Sequence, residues 1–71
     1  MTNSERILSE LIWELEQTRQ AIISALTEAY DKGEDIRYYQ GALSQANVDL
    51  YKVKITRGLI AEAEEAKKDA N

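Results

Sequence analysis

An all-α fold, one long antiparallel helical hairpin, is what this sequence predicts. The chain has 71 residues with no Pro and only three Gly. Residues that favour helix interiors (Ala, Leu, Glu, Gln, Lys and Arg) dominate it. Apolar side chains recur at alternating steps of three and four in two long runs, and a single glycine set among acids separates them.

The first run opens with a capping box. Thr2 and Glu5 have the spacing that lets a hydroxyl cap the first turn, with Asn3 and Ser4 as competing caps. Leu8, Leu11, Leu15, Thr18, Ile22, Ala25 and Ala29 then form a heptad stripe. Gly33 is the stop, because glycine takes the left-handed conformation without a Cβ penalty. Asp31, Glu34 and Asp35 around it are turn and cap residues, and the first helix is placed at about 4–32. The second stripe runs through Ile36, Tyr39, Leu43, Ala46, Leu50, Val53 and Ile60, with Arg57 in the remaining slot. It gives a helix at about 35–69, with Gly41, Asn47 and Gly58 as candidate bends.

Residues 50–56 offer a competing signal. Tyr51 to Thr56 alternate apolar and polar and are rich in β-branched side chains, which reads as a strand. A lone strand has no partner in this chain, and the heptad stripe passes through Leu50 and Val53 in phase. Helix is therefore the reading adopted.

A short turn makes the helices antiparallel, so residues whose numbers sum to about 67 face each other. That register sets Glu10, Glu14 and Glu16 opposite Arg57, Lys54 and Lys52. It also sets Ala25 and Leu26 opposite Ala42 and Gly41, which predicts close packing at Gly41. Tyr30, Tyr38 and Tyr39 cluster at the turn as an aromatic lid.

Chemistry is sparse. The chain has no His and no Cys, which removes the commonest general base, the best nucleophile, disulfides and the usual zinc ligands. Glu62, Glu64 and Glu65 read as a solvated face rather than a metal cluster, and Gly33, Gly41 and Gly58 are too far apart for a phosphate loop. The expectation is no catalysis, no cofactor and no metal. No apolar run is long enough to span a membrane. Residues 1–6 lack the basic start and apolar stretch of a secretory signal, so a cytoplasmic location is expected. The net charge of −4 argues against a nucleic-acid or anionic-membrane partner.

The informative excess is apolar. Ile12, Ile23, Leu26 and Tyr30 lie beside the first stripe, with Trp13 further out. Val48, Tyr51, Ile55 and Leu59 lie roughly opposite the second. Hairpin packing uses one stripe per helix, and domains this small commonly oligomerise. A homo-oligomer is therefore expected, most simply a dimer forming a four-helix bundle. A heterologous protein-binding surface is also expected, made by Ile12, Trp13, Glu16, Tyr51, Ile55 and Leu59, with Trp13 as the anchor. In length and pattern the chain resembles Rop-type plasmid regulators, in which two helical hairpins form a four-helix bundle that binds paired RNA loops. It also resembles small phage or plasmid products that inhibit or adapt a host protein.

Two functional readings follow. The first is a non-enzymatic module that inhibits, caps or bridges a partner protein. The alternative is a Rop-like nucleic-acid-associated regulator using Lys52, Lys54, Arg57 and Arg37, or an acidic decoy of a DNA-binding protein.

Overall fold

The computed structural model describes residues 2–70, with side chains to Lys68. Two helices, α1 (Asn3–Asp31) and α2 (Arg37–Ala70), pack side by side as a rod 61 × 15 × 11 Å across its Cα atoms. No strand occurs among the described residues.

The helix ends form where backbone groups find local partners. At the start of α1 the Thr2 Oγ1 accepts the N–H of Glu5 at 3.1 Å, so Thr2 is the cap that wins over Asn3 and Ser4. At its end Gly33 takes a φ of 73°. Its N–H donates to the Tyr30 carbonyl at 3.0 Å, and the Glu34 N–H reaches back to Ala29 at 2.9 Å. This is a Schellman closure, which satisfies two orphan carbonyls and reverses the chain. Asp35 then accepts the N–H of Arg37 at 2.9 Å and grips the Arg37 guanidinium at 2.6 Å. The Arg37 guanidinium and, after it, the Arg37 backbone N–H hold the Asp35 carboxyl below its ordinary range, and the Asp35 carboxylate holds the arginine above its own.

The 50–56 segment is helical throughout. The Thr56 hydroxyl donates to the Lys52 carbonyl at 2.9 Å, which gives this β-branched side chain a partner within the helix. Val53 is half-buried against α1. The interhelical seam, not local propensity, decides the conformation.

That seam is built by Leu8, Ile12, Leu15, Arg19, Ile22, Leu26 and Ala29 of α1. Facing them are Tyr39, Leu43, Ala46, Leu50, Val53, Arg57 and Ile60 of α2, all buried or half-buried. Its deepest residues are Ile12, Ala29, Ala46 and Leu50. Two polar layers interrupt it. Arg19 Nε donates to Asn47 Oδ1 at 2.6 Å, and Arg57 Nη1 donates to Ser9 Oγ at 3.4 Å. These pairs, 19 with 47 and 9 with 57, confirm the antiparallel register.

Three expectations are corrected. The α1 stripe uses Ile12 and Arg19 in place of Leu11 and Thr18, and Leu26 joins Ala25, both half-buried. Ile12 is 5% exposed and Leu11 38%. A heptad stripe has two candidate columns one residue apart, and the column with the bulkier Ile12 and Leu26 buries more apolar surface. Gly41 is exposed, and a Cβ added there would meet nothing within 4 Å, so it makes no close contact with Leu26. The aromatic lid does not close. Tyr39 enters the seam and stacks edge-on with Tyr38 at 5.5 Å, while Tyr38 and Tyr30 stand outside.

Ile12→Ala should therefore lower stability by about 3 kcal/mol in denaturant unfolding, and Leu11→Ala by less than about 1 kcal/mol. Equal losses would contradict the assignment of the seam. Asp35 supplies an acid-dependent cap. Because its pKa is depressed in the fold, its contribution is present at neutral pH and is lost as pH falls through the carboxylate range. The protection factor of the Arg37 amide, its exchange rate corrected for the intrinsic pH dependence of amide exchange, should fall on acidification, and Asp35→Ala should remove that fall.

Candidate functional site

The faces of the rod follow from helical spacing around the seam. Glu16 on α1 and Lys54 on α2 meet at 3.5 Å and define one broad face. Between them lies a shallow groove lined by Glu16, Gln17, Arg19, Gln20, Leu50 and Lys54. Trp13 stands three residues before Glu16 and four after Ser9, on the outer margin of the same face. Its side chain is 63% exposed and its helical neighbours are polar: Ser9, Glu10, Glu16 and Gln17. Tyr51, three residues before Lys54, stands exposed at the opposite margin.

The six residues singled out in the sequence do not form one patch. Ile12 is in the core. Trp13, Glu16 and Tyr51 share a face, with the Glu16–Lys54 pair between the two rings. Ile55 points away from α1, half a turn from the seam residue Val53. Leu59 lies on the reverse flank of α2. On that reverse face the register brings Leu59 toward Ile7, exposed like Leu11 nearby. Sequence reasoning passed over Ile7, although Ile7 and Leu11 are spaced i,i+4 and share a helix face.

The electrostatics are also sparser than the opposed acidic and basic clusters suggested. Glu16–Lys54 is the only bridge between those two groups among the described residues. Glu10, Glu14 and Lys52 form no ion pair. An exposed pair of this kind contributes about 0–1 kcal/mol and serves alignment more than stability. Arg57 is drawn into the seam toward Ser9, and Arg37 is held by Asp35. Most of the basic side chains that a phosphate backbone would need are thus already engaged within the chain.

No group of three or more metal-ligating side chains is assembled among the described residues, and no helix there is long and apolar enough to cross a membrane. The grooves are open furrows along the rod, and no buried side-chain polar atom in the described region lacks a partner.

No protein-family model, curated protein or solved structure matches the chain.

With Arg37, Lys54 and Arg57 engaged within the chain and a net charge of −4, the protein is expected to give no gel shift with duplex RNA or DNA at 50–200 mM salt. Tight binding that weakens steeply with salt and vanishes in Lys52→Ala/Lys54→Ala would assign this face to nucleic acid instead.

Proposed function

We propose that the protein is a non-enzymatic binding module, a helical hairpin that inhibits, caps or bridges a partner protein through the face carrying Trp13. The observation that supports this most is Trp13 itself. A tryptophan left 63% exposed among polar helical neighbours leaves most of a large apolar ring in water within the hairpin. Trp is enriched among residues that dominate binding energy, because a rigid ring gains much contact area for little lost freedom.

The setting has the composition of an interface. Trp13 supplies the apolar anchor. Glu16, Gln17, Gln20 and Lys54 along the groove supply a hydrogen-bonding rim, and Tyr51 closes the far margin. The missing catalytic repertoire fits the same reading. Without His or Cys, an acid–base pair would have to come from carboxylates in a pKa-shifting cleft. The furrows of a two-helix rod are open to solvent, where such shifts are small.

The reading is tested with tagged protein as bait in a lysate of the source cell or host, with Trp13→Ala as the paired control. A specific protein should be retained by the wild type. Against that protein Trp13→Ala should raise Kd about 30-fold, equivalent to about 2 kcal/mol, with helical content unchanged. Retention unaffected by Trp13→Ala would move the site to another face.

A further inference from the structure

The outer face of α2, turned directly away from α1, carries a second heptad seam that the hairpin does not use. Gly41, Val48 and Ile55 recur every seven residues along it. Ser44, Tyr51 and Gly58 form the companion column. Val48, Tyr51 and Ile55 are exposed, and a Cβ at either glycine would meet nothing within 4 Å. Two glycines inside a long helix disfavour it, and among the described residues no close contact at either glycine offsets them.

The order of these residues is matched about a point between Asp49 and Leu50. Reversing the helix around that point lays Gly41 on Gly58, Ser44 on Ile55 and Val48 on Tyr51. Each layer sets a residue of one column against one of the other, the layering an antiparallel two-helix seam requires. Charge follows the same symmetry. Arg37 falls opposite Glu62, an exposed carboxylate, and does so twice by symmetry. Between these ends no like charges face each other, since Lys52 meets Asn47 and Lys54 meets Gln45. Such self-complementarity is the property of an isologous two-fold interface.

We infer that a second copy of this chain docks antiparallel on the outer face of α2, pairing α2 with α2 about a two-fold axis between Asp49 and Leu50. The area is consistent. The chain exposes 5490 Å². A compact monomer of its mass exposes about 4,500 Å², and a standard interface covers about 800 Å² per partner. The result is a layer of four helices in the order α1, α2, α2, α1, rather than a bundle closed around one core. Tyr51 belongs to both surfaces, but Trp13 itself lies outside the α2 seam, so Trp13→Ala and the cysteine pair at Gly41 and Gly58 test the two readings separately.

Light scattering on the full chain at 100 µM should give twice the 8.1 kDa chain mass. Val48→Glu/Tyr51→Glu, which sets like charges in the central layers, should give the monomer mass with helical circular dichroism retained. Trp13→Ala should keep the dimer mass. The register is tested with cysteines, since the chain has none of its own. Gly41→Cys mixed with Gly58→Cys should form a disulfide-linked dimer on mild oxidation. Either variant alone should form none, because its two copies would sit about 25 Å apart along the axis. A monomeric wild type, a dimer that survives the double glutamate change, or dissociation by Trp13→Ala would overturn the interface. Failure of the mixed cysteines to link, or self-linking of one variant, would overturn the register. Should the double glutamate variant lose helicity, the cysteine pair decides alone.

Discussion

Two helices share only one seam, and the structure is organised by that limit. Each helix can turn one stripe toward the other, and everything apolar beyond that stripe stays in water. Here the seam is also thin. Its buried members are Ile12, Ala29, Ala46 and Leu50, and two of those are alanines. A third layer would shelter the rest, but the rod is one helix deep in one direction and two in the other. The exposed Ile7, Trp13, Val48, Tyr51, Ile55 and Leu59 are therefore a consequence of architecture before they are a question of function.

Much of the fold was legible because its determinants are local. Gly33 ends α1 for a stereochemical reason that needs no knowledge of the partner helix, and the Schellman bonds to Tyr30 and Ala29 fall where that reason puts them. Thr2 caps α1 in the way its spacing to Glu5 implies. The α2 stripe was readable for a different reason. Arg57 interrupts an otherwise apolar column and its neighbours offer no better column, so periodicity admits one solution.

The α1 stripe shows where that legibility ends. Leu11, Thr18 and Ala25 make an unbroken column free of charge, whereas the adjacent column contains Arg19. Sequence reasoning prefers the first. The fold takes the second, where Asn47 lies across the seam to accept from the half-buried Arg19. That partner belongs to the other helix, so no window of α1 alone reveals it. The misplaced Ile12 follows from the same choice, and with it the idea of one continuous binding patch. The error at Gly41 is of another kind. A mid-helix glycine does imply something close by, but the sequence does not say whether that neighbour belongs to the same chain.

The polar layers also bear on why the hairpin closes on itself. A long amphipathic helix can pair with its counterpart in another copy, and an apolar seam would not discriminate strongly between the two outcomes. Arg19 and Arg57 do. In the hairpin each meets an acceptor, Asn47 or Ser9, supplied by the opposite helix. An antiparallel α1–α1 seam would offer Arg19 no asparagine, and an α2–α2 seam on the inner face would offer Arg57 no serine. In the wrong pairing each guanidinium would exchange its protein acceptor for water, so the match biases the pairing by about one hydrogen bond per arginine. The inner faces are thereby reserved for each other, and association between copies is left to surfaces that carry no such arginine. The outer stripe of α2 satisfies that condition over the whole stretch from Gly41 to Gly58.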